Sequence, residues 1–514
     1  MTALSLWGFM KTSLCSLSMA MLLATSAYAK GPVSNANEAA TARHYAALIA
    51  GEPKLAGLTL FFTQMPKGGD LHHHYSGSIY AEHYLDFLTT QGYCVDKATL
   101  AIVTKPDAKS PGCLGQAELI ADGGTYRELL SRWSSKDFHN HGAAQIPPDA
   151  HFFRTFGAFD AVAKTNFNAG LRTIKERALK ENVGYIETMF TQPAAIADPA
   201  FDASLAAATT TGADAGADID ALLAGQFARL EQNPAFRANV ARFLDQVNQA
   251  HQGIDGPDFT LRFQTYVFRL LPPSLVFSIM AAAFQADSEN ELLVGVNIVG
   301  QESHPVAMRD YSLHMRMFKF LKTKYPKVNL AMHAGELALG DVPPEGLQFH
   351  IQEALEVAGA RRIGHGLDLA HERGAIDILN FMRRHDIPVE INLTSNAFIS
   401  GVEGASHPLT LYRQYGVPYV ISTDDAGVTR HTLSNEYLLF ASRHKPSYAE
   451  VKRASYASLR YAFLPQLEKQ RLTAQLEQRF AAFEAAIAGL SQGPATARSS
   501  AKNAAPSAAQ SAPR

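Results

Sequence analysis

The sequence predicts an α/β fold of the (β/α)8 TIM-type barrel class. Eight short apolar runs rich in β-branched residues recur along it, and amphipathic helical patterns, such as those at 171–181 and 350–359, fill most of the gaps. Strands that alternate with helices pair in parallel, and eight such units close a barrel. An open doubly wound sheet is the alternative, but no glycine-rich phosphate loop follows the first strand to support it. The expected strands are 69–77, 183–190, 260–270, 292–300, 328–336, 361–369, 387–396 and 417–427.

Composition limits the function classes that remain. The chain has 514 residues, 47% of them hydrophobic, with 46 Lys and Arg against 48 Asp and Glu. This hydrophobic fraction supplies a large core and excludes wholesale disorder. The charge balance, without a block rich in Lys and Arg, argues against a protein that holds nucleic acid by a basic surface. A small nucleotide-like ligand is still compatible with it.

Residues 1–29 have the organisation of a secretory signal peptide. Lys11 is their only charged residue, an apolar stretch covers 14–23, and Ala-Tyr-Ala at 27–29 gives a small-x-small cleavage site. Because the apolar stretch is short for a transmembrane helix, a cleaved signal is favoured over an uncleaved anchor. We expect a periplasmic or secreted protein with no membrane anchor after cleavage.

Two further segments differ from the expected core. Residues 195–220 are rich in Ala, Thr, Gly and Asp, which indicates a surface insertion or a flexible loop. Residues 491–514 are rich in Ala, Ser and Pro and bury too little apolar surface to offset the entropy of ordering, so a disordered tail is expected. Residues 30–490 would then form the barrel, with an N-terminal extension and extra helices.

Cys94 and Cys113 flank a stretch rich in Lys, Pro and Gly. The third cysteine, Cys15, would leave with the signal peptide. Two cysteines at the ends of a turn-rich loop in an exported chain favour a disulfide, and two unpaired thiols are the alternative.

Polar residues and glycines stand where most of the expected strands end. In a barrel the carboxyl ends of all eight strands meet at one face, where active sites lie. The residues expected to converge there are His72, His74, Gly300, His333, Glu336, His365, Asp424 and Asp425.

Three histidines and an aspartate form a candidate metal site. His72 and His74 project from one face of the first strand, because strand residues i and i+2 share a face, whereas His73 points away. His333 ends another apolar strand, and Asp424 closes the eighth. Such ligands suit a divalent ion of borderline softness, most often Zn²⁺. Surface or core histidines and an exposed acidic turn are the alternatives.

The neighbouring residues suggest hydrolysis. Glu336 follows His333 by three residues, and a half-buried carboxyl there could have a raised pKa and donate a proton. His365, between two glycines, could hold or deprotonate a water that the metal activates, and a structural histidine is the alternative. Of the adjacent Asp424 and Asp425, one could bind metal and the other substrate. The residues alone do not determine which bond is cleaved.

Four motifs in this order and spacing resemble the adenosine deaminase family of the amidohydrolase superfamily: MPKGGDLHHHYSGS, HAGE, RIGHG and STDDAG. The resemblance covers roughly residues 60–475. The length, the export signal and the MPKGG lead-in resemble its secreted, growth-factor-related branch. The resemblance implies one Zn²⁺ per chain, and the implied ligands are His72, His74, His333 and Asp424.

The resemblance also implies a reaction, the hydrolytic deamination of adenosine and 2′-deoxyadenosine to inosine and ammonia. A metal hydroxide would attack C6 of the purine, Glu336 would give a proton to N1, and His365 would orient and assist the hydroxide. Asp425 would bond to N7 and to the water, and the backbone N–H of Gly300 would bond to N3. The implied partner is a small purine nucleoside.

Two positions depart from the family pattern. Ser76 stands where the family commonly has an Asp that contacts the ribose 5′ hydroxyl, and Met189 stands where it often has Arg. Because the ring-directed residues are intact, purine deamination is better supported than adenosine as the substrate. The alternatives are a related purine or nucleoside aminohydrolase, another single-metal amidohydrolase, and a binding or signalling protein. Two-metal relatives usually need a lysine on the fourth strand, which 292–300 lacks.

Overall fold

The structure is a computed structural model that describes residues 36–107, 112–139, 145–210 and 215–491. Eight parallel strands form its centre, and each overlaps one of the eight predicted segments. They are β1 (Lys67–His74), β2 (Val183–Met189), β3 (Thr260–Phe268), β4 (Leu293–Val299), β5 (Ala331–Ala334), β6 (Arg362–His365), β7 (Val389–Ile391) and β8 (Tyr419–Ile421).

The eight strands close into a barrel. β1 to β4 form one parallel sheet in sequence order, and β5 to β8 form a second. Single parallel bridges join the two sheets, one from Val296 of β4 to Leu330 and the other from His73 of β1 to Asp424. At the second junction the Asp424 amide donates to the His72 carbonyl oxygen at 2.8 Å. The predicted (β/α)8 fold is therefore confirmed.

Helices occupy the segments between the strands. The helix Phe167–Lys180 is typical, because its buried residues Leu171, Ile174 and Ala178 are three or four positions apart and pack against β2. The α-helices are Ala36–Ile49, Leu55–Gln64, Tyr75–Ser78, Ala81–Gln91, Gln116–Ala121, Gly123–Trp133, Pro148–Ala163, Phe167–Lys180, Pro199–Thr210, Ala215–Gln232, Pro234–His251, Pro273–Glu289, Pro305–Lys324, His350–Glu353, Ala375–His385, Leu393–Ser400, Leu409–Tyr415, Ala426–Thr429, Leu433–His444, Tyr448–Tyr461 and Gln466–Ser491. Short 3₁₀ or π turns are Pro344–Leu347, Ala354–Ala358, Leu367–His371 and Gly404–Ser406.

The N-terminal extension is helical and packs against the C-terminal helix. Helix Ala36–Ile49 contacts helix Gln466–Ser491. The ring of Phe61 lies 5.5 Å from that of Tyr45 and 5.1 Å from that of Phe483, distances at which aromatic pairs attract one another. These contacts join the two ends of the described chain beside the barrel.

The interpretation of 195–220 as a flexible loop is wrong over most of its length, because 215–220 begin the helix Ala215–Gln232 and 199–210 form the helix Pro199–Thr210. Phe201 and Leu205, four positions apart, are buried on one face of it, and the alanines around them favour helix. That the segment is an insertion stays a prediction. The expected signal peptide (1–29) lies outside the described residues. So does the expected tail (491–514), except for residue 491. None of the described helices is both long enough and apolar enough to span a membrane.

The structure pairs Cys94 with Cys113 in a disulfide whose Cα atoms are 5.5 Å apart. The two cysteines lie on neighbouring strands of a small antiparallel sheet made of Cys94–Asp96, Ile102–Val103 and Cys113–Leu114. Strand Cys94–Asp96 pairs with both of the others, and Cys113 pairs with Asp96, two residues from Cys94.

We expect thiol titration of denatured protein that lacks residues 1–29, purified without reductant, to find no free thiol. The bond closes a loop with a sequence separation of 19, for which the chain-entropy account gives roughly 3 kcal/mol of stabilisation. A Cys94→Ser/Cys113→Ser double variant should therefore unfold at a lower temperature. Two free thiols in the unreduced protein would contradict the pairing.

Candidate active site

The four predicted metal ligands come together at the carboxyl ends of β1, β5 and β8. His72, His74, His333 and Asp424 each offer one ligand atom, and these atoms all lie within 4.8 Å of one another. Nε2 of His74 lies 3.2 Å from both His333 Nε2 and Asp424 Oδ1, and His72 Nε2 lies 3.5 Å from the same oxygen. Three imidazoles and one carboxylate therefore surround a single point. These four side chains are called the cluster below.

The backbone turns sharply at two of the strand ends that form the site. Asp424 and His365 have φ angles of +60° and +67°, in the left-handed region that non-glycine residues seldom adopt. Such conformations persist where the surrounding structure fixes them, and they cluster at functional sites. Asp425, directly after this turn, packs against Gly77, where an added Cβ would lie 1.5 Å from its Oδ1.

A buried chain of charges orients His72. Its Nδ1 lies 2.6 Å from Glu390 Oε2, whose other oxygen accepts a hydrogen bond from Arg362 Nε at 2.6 Å. Arg362 Nη2 in turn donates to Glu187 Oε1 at 2.6 Å. Because Nδ1 is bonded to a carboxylate, His72 presents Nε2 to the other candidate ligands. Histidines that bind metals are commonly oriented by a carboxylate on the other ring nitrogen in this way.

His333 is oriented in the same way by amides. Its Nδ1 lies 2.9 Å from Asn297 Oδ1, and Asn297 Nδ2 donates to Gln264 Oε1 at 3.0 Å. His72 Nε2, meanwhile, is buried and has no hydrogen-bond partner among the described residues. Burying a nitrogen without a hydrogen-bond partner costs free energy unless another group binds it. This nitrogen and the three-histidine, one-carboxylate donor set fit a divalent ion such as Zn²⁺.

Glu336 and His365 lie beside the cluster. Nδ1 of His365 is 3.6 Å from Glu336 Oε1, and its Nε2 is 3.9 Å from Asp424 Oδ2. Burial and the nearby Asp424 carboxylate raise the pKa of Glu336 well above its ordinary value. A carboxyl in such surroundings keeps its proton near neutral pH and can donate it.

Glu302 was missed by the sequence analysis. Its two carboxylate oxygens accept from the backbone N–H of Gly335 at 3.0 Å and of Glu336 at 2.9 Å. Burial opposes its ionisation, but Arg269 and His350 beside it lower its pKa to about 2. Glu302 therefore fixes the turn that carries Glu336. It stands two positions after Gly300, yet nothing in the sequence pattern indicated this contact.

The remaining predicted residues lie at neighbouring strand ends. Gly300 follows β4 with φ +102°, and an added Cβ would lie 2.8 Å from the ring of Phe268, so only glycine fits there. Ser76 is in the helical turn directly after β1, and its carbonyl oxygen accepts a hydrogen bond from Tyr84 Oη at 2.7 Å. Asp425 Oδ1 is buried without a hydrogen-bond partner in the described part of the chain.

Residues 227–479 match the sequence model of the family described as adenosine deaminase. A stretch of 154 residues is 35% identical to an adenosine deaminase from Serratia proteamaculans. Over this stretch the chain is similar to the adenosine deaminases. The matched stretch covers 30% of this chain and only 43% of that relative. An adenosine deaminase from Escherichia coli is 35% identical over 145 residues, 28% of this chain and 40% of the relative.

Solved structures of deaminases share the fold over most of the chain. The N6-methyl-AMP deaminase from Arabidopsis thaliana is 18% identical and has a TM-score of 0.52, covering 82% of this chain and 98% of that one. An adenine deaminase from Arthrobacter aurescens is 16% identical, with a TM-score of 0.51 and coverage of 80% and 98%. The family match includes β3 to β8, whereas His72 and His74 on β1 lie outside it.

Proposed function

We propose that this protein is a zinc-dependent aminohydrolase that converts adenosine and 2′-deoxyadenosine to the corresponding inosine and ammonia. The observation that carries the proposal is the group of His72, His74, His333 and Asp424 beside Glu336 at one barrel face. The relatives named adenosine deaminase add support. When bound, Zn²⁺ would be held by these four residues and would lower the pKa of a water toward about 7.

The other residues of the site act on the purine and on the attacking water. Glu336 gives its proton to N1, which makes C6 more electrophilic, and His365 holds the water that adds to C6. The backbone N–H of Gly300 bonds to N3, and Asp425 bonds to N7. Addition of water and loss of ammonia from C6 complete the reaction, which consumes one water for each ammonia released.

One assay tests the proposal directly. The absorbance change at the adenosine band is followed with purified, zinc-loaded protein on adenosine, deoxyadenosine, adenine, AMP and guanosine, with ammonia release measured in parallel. Turnover of adenosine and deoxyadenosine supports the proposal. Ammonia release from none of the five substrates would overturn it and would favour either another single-metal amidohydrolase or a binding or signalling protein.

A second candidate is deamination of another purine, and Ser76 favours it. A serine offers a neutral hydrogen bond where the family's Asp offers a charge-assisted one, so recognition of the sugar is the weakest part of the adenosine assignment. The same substrate panel separates the two candidates by their relative kcat/KM.

We expect Ser76→Asp to lower the KM for adenosine by about threefold to thirtyfold, an effect of order 1–2 kcal/mol. The acceptor becomes charged and bonds more strongly to a ribose hydroxyl, whereas kcat changes less because Ser76 would face the sugar and not C6. Steady-state kinetics with adenosine measure both constants. Weaker adenosine turnover in the variant, together with a natural preference for a base with a modified or absent sugar, would mean that adenosine is not the cognate substrate.

We further infer that the protein is exported to the periplasm or the medium and belongs to the secreted, growth-factor-related branch. The organisation of residues 1–29 supports this. N-terminal sequencing of the mature protein should begin at Lys30, and an intact residue 1 would contradict cleavage.

A further inference from the structure

Two side chains, those of His407 and Asn396, link a backbone amide to His365 in a relay of hydrogen bonds. The N–H of Leu409 donates to His407 Nδ1 at 3.1 Å, and His407 Nε2 lies 3.0 Å from Asn396 Oδ1. Asn396 Nδ2 lies 2.9 Å from His365 Nδ1. His407, Asn396 and His365 are all fully buried, so bulk water does not compete for these bonds.

The backbone amide fixes the direction of every bond in this relay. An amide N–H can only donate, so His407 Nδ1 accepts and carries no proton. The proton of a neutral imidazole then sits on Nε2, which donates to Asn396 Oδ1. This sets the orientation of the Asn396 amide, whose NH₂ group donates to His365 Nδ1. His365 therefore carries its ring proton on Nε2.

The protonated nitrogen of His365 faces the cluster formed by His72, His74, His333 and Asp424. Nε2 is buried, has no hydrogen-bond partner among the described residues and lies 3.9 Å from Asp424 Oδ2. The His365 ring is 4.8 Å from that of His72 and 5.2 Å from that of His333. An N–H in this place is aimed at an acceptor within the cluster.

Two other groups face Nδ1 of His365, and neither reverses the assignment. Asn392 Nδ2 lies 3.5 Å away, at the outer limit of a hydrogen bond, and it also can only donate. Glu336 Oε1 could accept a proton from Nδ1, but at 3.6 Å it is beyond hydrogen-bond distance, whereas Asn396 is at 2.9 Å.

We propose that Asn396 and His407 are positioning residues that hold His365 as the Nε2–H tautomer. His365 then donates a hydrogen bond to the attacking water and does not take its proton. The sequence left both roles open for His365, and the relay selects the first. The tautomer of His365 is inferred from the hydrogen bonds of the relay alone. The role of that tautomer in catalysis rests on the proposed function.

The tautomer can be measured without an activity assay. Long-range ¹⁵N–¹H NMR of zinc-loaded protein with ¹⁵N-labelled histidine rings distinguishes a protonated from an unprotonated ring nitrogen, and comparison with His365→Gln identifies the His365 signals. We expect an unprotonated Nδ1 and a protonated Nε2. Asn396→Asp, which replaces the donating NH₂ by an oxygen, should reverse this to Nδ1–H. His407→Gln is the matched control, because its NH₂ still donates to Asn396, and it should retain Nε2–H.

Activity provides the second measurement. Asn396→Asp should lower kcat on the purine substrate by about 10- to 100-fold with less change in KM and with the zinc content of the wild type. A wild-type spectrum with Nδ1–H, or an Asn396→Asp tautomer like that of the wild type, would overturn the proposal. If Asn396→Asp does not fold, the wild-type and His407→Gln spectra still decide the tautomer. The Nε2–H tautomer in a protein that deaminates no purine would support the relay and overturn the proposed function.

Discussion

Glu336→Gln is expected to retain the fold and the zinc and to lose at least about 10²–10⁴-fold in kcat, the usual contribution of positioned proton transfer. Glutamine keeps the shape of the side chain and can still form hydrogen bonds, but it has no acidic proton to give. The substitution leaves the backbone contact intact, since the N–H of residue 336 is held by Glu302 at 2.9 Å. Steady-state kinetics with adenosine measure the loss.

The matched control is Glu356→Gln, the same change at an exposed position outside the site. It should leave kcat unchanged. Elemental analysis of Glu336→Gln should give the zinc content of the wild type. Unchanged turnover would exclude Glu336 as the proton donor, whereas loss of zinc would mean that Glu336 contributes to holding the metal.

The barrel could be predicted because most of its strands are apolar and buried on both faces, so each of these is a short continuous run. β1 is equally buried, but its sequence is largely polar. The residues at which the strands end could not be predicted. The segment predicted at 69–77 continues past β1, which ends at His74, because Tyr75–Ser78 form a helical turn. Likewise β8 ends at Ile421, and the two acids follow in a turn with a left-handed residue. Strand periodicity does not show where the backbone ladder stops.

The convergence of the ligand candidates followed from the barrel, because all carboxyl ends meet at one face. The residues that orient them could not be found in this way. Arg362 bonds to Glu187 across 175 positions of sequence, and Glu390 bonds to His72 across 318. A buried charge requires a partner, but the pairing depends on strand register, which the sequence does not reveal. The catalytic roles of Glu336 and His365 stay predictions that the substitutions test.

The purified protein is expected to contain about one Zn²⁺ per chain, and chelation should abolish turnover. His74→Ala should lower the zinc content measured by elemental analysis and reduce activity in proportion, because it removes one of four ligand atoms. His74 Nε2 lies 3.2 Å from both His333 Nε2 and Asp424 Oδ1, among the other ligand atoms.

Thermal unfolding gives a readout that does not depend on activity. An ion that binds only the folded chain stabilises it, so chelator should lower the Tm of the wild type and have little further effect on His74→Ala. His73→Ala is the matched control, because His73 faces away from the cluster, with Nδ1 2.9 Å from Thr188 Oγ1, and its removal should leave the zinc in place. Two equivalents of metal in the active wild-type enzyme, or full zinc content in His74→Ala, would contradict a single ion held by these four residues.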